Sequence, residues 1–292
     1  MPIEKIMLAT NGSPHSEAAL RFVLTGPLPR SAQVTVVTVD EKHGSGNYLS
    51  GSRAADLARE VSGRLAGTFG DGGVRTQILS GPPSDAILAQ IKIDCPDLLV
   101  IGAHAPPDTL EDKIHGSVVT ILAREAPTSV LIIRQTERAG IRRVLISLGE
   151  QARSKRVVEA VAGLPWPPAV QFKLMHVYMP PVSEYTPSPK RSIEFFQKAR
   201  SEARLDSASL LNSLAVRLKE QLPHNTIDTV NLEDFFVAED VLEIIKTWQA
   251  DLVVLGPREH LGMDEVFLGS VTKQLLKAAP CSIFLVREVQ RR

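Results

Sequence analysis

The 292-residue sequence has only two cysteines, Cys95 and Cys281, and only 5% of its residues are aromatic. Two cysteines are too few for a disulfide framework, so we expect both to be small, buried apolar residues with no redox role. There is also no excess of either charge, because 33 basic residues balance 33 acidic ones. A chain without a charge bias has no general attraction to nucleic acid or to an anionic membrane surface.

Long hydrophobic runs are absent as well. The longest apolar stretches, such as LLVIGA and LVVLG, fall far short of the roughly 20 residues that a membrane-spanning helix needs. The first residues, MPIEKIMLAT, mix acid and base before they turn apolar, which indicates a strand and not a secretory signal. The sequence therefore predicts a cytoplasmic protein with neither a membrane nor a nucleic-acid partner.

The common catalytic motifs are missing too. There is no GxxxxGK[ST] phosphate loop, no GxGxxG after the first strand and no GxSxG nucleophile elbow. No His or Cys cluster has metal-ligand spacing, so we predict no metal site and no catalytic residue. The arginines at the C-terminus, Arg287 among them, are interpreted as a solvated end.

What the sequence does contain is a repeat. GSVVTILAREAPTSVLIIR (residues 116–134) returns as GSVTKQLLKAAPCSIFLVR (residues 269–287), an offset of 153 positions. At the starts of the two copies, EKIMLAT matches RRVLISL with an offset of 138, so the second copy holds about fifteen extra residues. We place them in the proline-rich segment 179–192, where regular structure is disfavoured. The duplication predicts two domains, residues 1–136 and 140–292, joined near residues 135–140.

Within each copy, short apolar runs alternate with helical patterns. Runs such as VTVVTV and LLVIG are apolar throughout, which is typical of strands buried on both faces of a parallel sheet. Alternating strands and helices indicate βαβ units with right-handed crossovers. We therefore predict an α/β protein of two doubly wound, five-stranded parallel-sheet sandwiches in tandem.

The Gly-Ser that opens each repeated segment suggests an anion site. Gly102 and Gly256 are placed at the carboxyl ends of strands, where ligands of open α/β sheets bind. A Gly-Ser pair that starts the next helix would expose backbone N–H groups and the positive end of the helix dipole to a phosphate. The same pair could simply begin a helix, and the residues alone leave the two interpretations open.

The whole chain resembles a tandem universal stress protein. The markers are LATNGSPHSEAALRFVL, SGPPSDAIL, PDLLVIGAH and the two Gly-Ser segments. The resemblance implies an adenine nucleotide alpha hydrolase-like fold in each copy. In ATP-binding members, a loop of Gly, two residues, Gly, nine residues and Gly-Ser or Gly-Thr wraps the phosphates. An Asp after the first strand and a backbone group at the end of the second hold the ribose and adenine.

The first copy keeps part of this pattern. Ala105 replaces the middle glycine, ten residues instead of nine follow it, and Asn11 stands where the Asp is expected. Asn can still donate and accept hydrogen bonds with a ribose. The resemblance implies nucleotide contacts at Thr10, Asn11, Val39, Gly102, Ala105, Gly116, Ser117 and Val118.

The second copy departs further from the pattern. Gly256, Gly269 and Ser270 keep the family spacing, but Glu259 replaces the middle glycine and puts a carboxylate where phosphate oxygens would lie. Such like charges repel by several kcal/mol in a partly dry site. We expect ATP, with Mg²⁺, in the first copy and a degenerate second copy.

These features predict a stress-response binding and signalling protein. The alternatives are a nucleotide-free adaptor that works through protein contacts and, with less support, a slow ATPase, since no general base is identifiable. The resemblance also implies that the closing strands SVLIIR and SIFLVR pair within the chain as a pseudo-dimer. An edge strand left open would favour a homodimer.

Overall fold

The structure, a computed structural model, describes residues 3–40, 52–103, 118–135, 140–149, 151–179, 189–256 and 268–287. The strands are β1 (Lys5–Ala9), β2 (Gln33–Asp40), β3 (Val74–Ser80), β4 (Leu98–Ala103), β5 (Ser129–Arg134), β6 (Arg143–Leu148), β7 (Gln171–Tyr178), β8 (Thr226–Glu233), β9 (Leu252–Leu255) and β10 (Ser282–Leu285). The helices are α1 (Pro14–Thr25), α2 (Ser52–Phe69), α3 (Pro83–Asp94), α4 (Val118–Glu125), α5 (Gln151–Ala162), α6 (Pro189–Gln221), α7 (Val237–Trp248) and α8 (Ser270–Ala278).

All ten strands lie in one sheet, in the order β3-β2-β1-β4-β5-β10-β9-β6-β7-β8. Strands within each copy pair in parallel, whereas β5 and β10 pair antiparallel, with Ile132 aligned with Ile283. Each copy is therefore a five-stranded parallel sheet, and the predicted fold class is confirmed. The closing strands join the copies inside one chain, as the resemblance implied.

Two apolar layers cover the faces of this sheet. One packs beneath α1, α2, α5 and α6 and includes the fully buried Leu8, Val36 and Phe172. The other packs beneath α3, α4, α7 and α8 and includes Met7 and Leu99. Because strand side chains alternate between faces, a strand covered on both sides is mostly apolar, and a buried polar group in it needs a partner, as the Thr38 hydroxyl has in the Ala54 carbonyl. That requirement explains the runs VTVVTV and LLVIG.

A repeated aspartate anchors the start of each copy. One carboxylate oxygen of Asp97 accepts hydrogen bonds from the backbone N–H groups of Glu4 and Lys5, at 2.8 and 2.9 Å. Asp251 accepts the same pair from Arg142 and Arg143, both at 2.9 Å. Each aspartate precedes the fourth strand of its copy and ties it to the first, so the PDLL and ADLV motifs have a structural role.

A repeated arginine links the two copies. Arg134, at the end of β5, donates to the carbonyls of Leu276 and Ala279 at the carboxyl end of α8. Arg287, after β10, donates to the carbonyls of Ala123 and Ala126 at the carboxyl end of α4. These carbonyls have no partner within their own helices. Arg287 is 4% exposed, so its interpretation as part of a solvated end was wrong.

The fifteen extra residues of the second copy extend a helix. Helix α6 has 33 residues, whereas the corresponding α2 has 18. The buried positions of the two helices match at an offset of 153: Ala54, Ala58, Val61, Leu65 and Phe69 in α2 and Ser207, Leu211, Leu214, Leu218 and Leu222 in α6. The expectation that the whole insertion lies in the proline-rich segment was therefore wrong, because α6 already begins at Pro189.

The two cysteines differ in their environments. Cys281 is 1% exposed, and burial raises the pKa of its thiol to about 12. It is the small apolar residue that the sequence predicted. Cys95 is exposed and ends α3 in the left-handed conformation, with φ of 46°, so its predicted burial was wrong. Among the described residues, no helix is both long and apolar enough to cross a membrane.

Candidate functional site

The candidate site of the first copy lies where the strand order reverses. The chain runs from β1 outward to β3, then returns to β4 on the other side of β1, so the reversal falls between β1 and β4. Ala9, the last residue of β1, is aligned with Val37 on β2 and Ile101 on β4. Two residues further on, this register puts Asn11 level with Val39. Open α/β sheets bind ligands beyond the carboxyl ends of strands at such a reversal.

A turn after β1 leads into α1. The Thr10 amide bonds the Val37 carbonyl at 2.9 Å, which holds the turn beside β2. The Asn11 side-chain oxygen accepts the Ser13 amide at 3.2 Å, and Ser13 caps α1 by accepting the Ser16 amide at 3.3 Å. Asn11 is exposed, and its side-chain NH₂ is a donor that a ligand could use.

The end of β2 adds an apolar side chain and a buried carboxylate. Val39 is half-buried and packs toward the α3 and α4 side, whereas Asp40 is 9% exposed on the opposite face. One Asp40 carboxylate oxygen is buried without a hydrogen-bond partner among the described residues. Buried polar atoms in folded proteins nearly always have a partner. Asp40 was not predicted from the sequence, because it is the last residue of β2 and no motif surrounds it.

Gly102 on β4 has a packing role. A Cβ atom added there would overlap the backbone carbonyl of His15 and lie 2.6 Å from the Ser16 amide nitrogen. The first turn of α1 thus rests directly on β4, and only a glycine leaves room for it. The glycine that the resemblance assigned to a phosphate loop is therefore required by helix–strand packing, whatever ligand binds nearby.

The structure describes the start of α8 in the second copy, but it describes α4 in the first copy only from Val118. In the second copy, Gly269 is the N-cap of α8 and Ser270 its first residue, so Gly-Ser does begin a helix. No side-chain hydrogen bond caps this end, and Ser270 is exposed. In the first copy, α4 is described from Val118, and the predicted contacts Ala105, Gly116 and Ser117 lie outside the described residues.

In the second copy, a glycine stands at the position that corresponds to Asn11. Ser147 is aligned with Leu255 and Met175 as Ala9 is with Ile101 and Val37, so Gly149 matches Asn11. The Gly149 amide donates to the Ser154 hydroxyl oxygen at 3.2 Å, and the Gly149 carbonyl accepts from the same hydroxyl at 3.1 Å. Ser154 is fully buried. The strand end thus has no side chain, and its backbone groups are paired internally.

A partly buried polar cluster lies beside this strand end. The His176 ring nitrogen Nδ1 is 2.6 Å from the Ser207 hydroxyl, which donates to the Asn231 side-chain oxygen at 2.6 Å. The cluster links β7, α6 and β8. It could not be found from the sequence, because its members are separated by 24 and 31 positions and share no motif.

We expect this cluster to make stability depend on pH. Burial lowers the pKa of His176 from its ordinary value of 6.5, although a hydrogen bond to the Gly149 backbone opposes the shift. The unfolded chain therefore binds a proton at His176 before the folded chain does, and stability falls as the pH drops through 6.5 toward the lowered pKa.

Urea unfolding between pH 7.5 and pH 5 measures this effect. Replacing His176→Asn keeps a hydrogen-bonding group but removes the titration, so the variant should lose less stability than the wild type over this range. Equal losses in the two proteins would show that His176 does not contribute to the pH dependence.

Among the described residues, no group of three or more His, Cys, Asp or Glu side chains is placed to hold a metal ion. The described part of the site in the first copy instead offers an amide side chain, an apolar side chain and a turn. These groups can bind a base and a sugar through hydrogen bonds and apolar contact.

Solved structures of the same fold align with both copies of the repeat. A universal stress protein from Archaeoglobus fulgidus DSM 4304 has a TM-score of 0.61 at 14% identity, over 98% of this chain and 99% of its own. A functionally unknown protein from Pseudomonas aeruginosa PAO1 has a TM-score of 0.63 at 12% identity, over 98% and 92% of the two chains. At such identities, these structures show a shared fold alone.

Sequence comparison is more specific. A curated Synechocystis universal stress protein is 45% identical over 47 residues, which are 16% of this chain; the chain matches only 30% of that relative's length. The sequence model of the universal stress protein family matches residues 2–134 and again residues 140–287. Since these two matches take in nearly the whole chain, the protein belongs to the universal stress protein family and carries two of its domains.

Proposed function

We propose that the protein is a stress-response binding module whose first copy binds an adenine nucleotide and whose second copy does not. The observation that carries the proposal is the contrast between Asn11 and Gly149 at equivalent strand ends. Asn11 is exposed at the reversal of strand order. Gly149 offers no side chain, and its amide and carbonyl are both bonded to Ser154.

The described residues fit the base and sugar of a nucleotide. Asn11 would bond the ribose hydroxyls, and Val39, level with it on the next strand, would contact the adenine through its half-buried side chain and backbone. Thr10 would support the same turn. The phosphates of ATP, with Mg²⁺, would point toward the start of α4 at Val118, where backbone N–H groups and the helix dipole favour an anion.

Replacing Asn11→Ala should weaken nucleotide binding by about five- to tenfold, the equivalent of about 1 kcal/mol for a lost neutral hydrogen bond. A fluorescent ATP analogue titrated against the full chain with Mg²⁺ measures the dissociation constant. The matched control is Gly149→Ala, because nothing lies within 4 Å of a Cβ added there. This control should leave the affinity unchanged.

Two results would contradict the proposal. If the wild type does not bind the analogue, the nucleotide-free adaptor becomes the better function. If Gly149→Ala weakens binding and Asn11→Ala does not, the nucleotide site belongs to the second copy. Phosphate release that is abolished together with binding in Asn11→Ala would add a slow ATPase activity to the same site.

A further inference from the structure

A cavity of about 1040 Å³ lies between the two copies, on the face of the sheet that carries α1 and α5. One wall is formed by residues 18–25 of α1 and by the turn that follows this helix, residues 26–31. The other wall includes the turn after α5, residues 163–167, and Ile133 of the closing strand β5 also lines the cavity. Because its α1 wall begins beyond the first turn of the helix, the cavity is separate from the turn at Asn11.

The two turns in the walls are equivalent parts of the repeat. The Leu28 amide donates to the Gly26 carbonyl at 2.8 Å, and the Trp166 amide donates to the Leu164 carbonyl at 2.9 Å, an offset of 138 in both cases. Leu28 and Trp166 are 1% and 7% exposed. The Trp166 indole N–H already donates to the Val161 carbonyl at 2.7 Å. Both walls are therefore apolar and held in a fixed conformation.

Two arginines that line the cavity keep an uncompensated positive charge. Arg30 donates to the carbonyls of Val23 and Gly26, at 3.1 and 3.3 Å. Arg134 donates to carbonyls at the end of α8, as described above. A carbonyl oxygen is neutral, so these hydrogen bonds hold each guanidinium in place and leave its charge without an opposing one.

A third arginine, Arg21, is exposed and lines the same cavity. The acid one turn before it, Glu17, makes two hydrogen bonds to Arg64, at 2.6 and 2.9 Å. The one acidic side chain among the described lining residues is Asp251, which accepts two backbone amides. Three positive charges thus oppose one negative charge, and a cleft with low-dielectric walls and charge mainly of one sign concentrates counter-ions.

We propose that this cavity binds an amphipathic anion, a molecule with an aromatic or aliphatic body and one anionic group. The body lies against the apolar side chains of Phe22, Ile133 and Trp166, and the anionic group binds at Arg21. An apolar lining with a few polar groups, at a volume near 1000 Å³, is typical of small-molecule sites. The site exists only where two copies meet, and it does not depend on nucleotide binding in the first copy.

A fluorescent anion tests this site directly. The probe is 8-anilinonaphthalene-1-sulfonate, which joins an aromatic body to one sulfonate. The chain has two tryptophans, and Trp248→Phe leaves Trp166 as the only one while it keeps an aromatic ring beside Lys173. Excitation of Trp166 in this variant should transfer energy to the bound probe, with saturation at one molecule per chain.

Charge reversal in the same background tests the anion contact. Arg21→Glu should raise the dissociation constant of the probe at least about fivefold, and Arg21→Gln should raise it by a smaller factor. The matched control is Arg75→Glu, which changes the net charge equally on the exposed face of the edge strand β3 and should change the constant by less than about twofold. N-phenyl-1-naphthylamine, the same body without the sulfonate, should bind more weakly and should not respond to Arg21→Glu.

Four results would overturn the proposal. They are an absence of energy transfer from Trp166, equal effects of Arg21→Glu and Arg75→Glu, equal affinity for the charged and uncharged probes, and displacement of the sulfonate by ATP. Displacement by ATP would place the probe in the nucleotide site, whereas a chain that binds the probe and no ATP would contradict the proposed function alone. Circular dichroism melting verifies that each variant folds.

Discussion

Replacing Gly102→Ala is expected to destabilise the first copy by about 3 kcal/mol or more. The added Cβ would overlap the His15 carbonyl and lie 2.6 Å from the Ser16 nitrogen, and both are backbone atoms. Backbone at the start of α1 can move only if the helix shifts away from β4, and forced overpacking of this kind costs about 1–3 kcal/mol and occasionally more. Urea unfolding followed by circular dichroism measures the loss.

The chain contains a matched control for this substitution. Gly256 corresponds to Gly102 and lies directly after β9, but a Cβ added at Gly256 would lie 3.1 Å from a methyl group of Val157. That methyl belongs to a side chain that can adjust, so Gly256→Ala should cost less than about 1 kcal/mol. If both variants are equally stable, the close approach of α1 to β4 does not exist in solution.

Removing the arginine side chains that link the copies should have the second large effect. Arg287→Ala and Arg134→Ala should each lower the free energy of unfolding by about 2–4 kcal/mol, because buried helix-end carbonyls lose their donors and a buried side chain is removed. Burial lowers the pKa of Arg134, and its guanidinium faces the carbonyl end of a helix, where a positive charge is favoured.

Amide hydrogen exchange shows where in the sheet the two arginine variants lose stability. Each variant should speed amide exchange in β5 and β10 more than in β2 or β7, since the weakened contact lies where the two copies meet. The control is Arg124→Ala on α4, whose exposed side chain pairs with Glu125 at the surface, so its loss should cost less than about 0.5 kcal/mol. Uniform exchange rates across the sheet would contradict a local role for the arginines.

The repeat and its periodicity were sufficient to predict the fold. Runs such as LLVIG and VTVVTV indicate strands buried on both faces of a sheet. The helical patterns between them predict helices on both faces, which is a doubly wound sheet. The pairing of the two closing strands followed from the family resemblance, whereas its antiparallel direction came from the structure. The structure confirms the fold class, while the nucleotide contacts at Thr10, Asn11, Val39 and Gly102 remain predictions about ligand binding.

Other features depended on contacts that no local pattern encodes. The roles of Arg134 and Arg287 depend on carbonyls more than 140 positions away. The proline-rich composition of residues 179–192 pointed to a loop, whereas the alignment of buried positions in α2 and α6 shows that the extra residues lengthen a helix. Proline is tolerated in the first turn of a helix, so a proline-rich segment can still contain a helix start, as α6 does at Pro189.

By itself, the sequence determined that this protein consists of two parallel α/β units, because hydrophobic periodicity is a local property that chain order preserves. Only the tertiary structure decided why Gly102 must be a glycine, which strand end has its backbone groups bonded to Ser154, and where Arg287 lies. These outcomes arise from atoms brought within a few ångströms of each other by the sheet register. Steric overlap and hydrogen bonding act at that distance, whatever the separation of the residues along the chain.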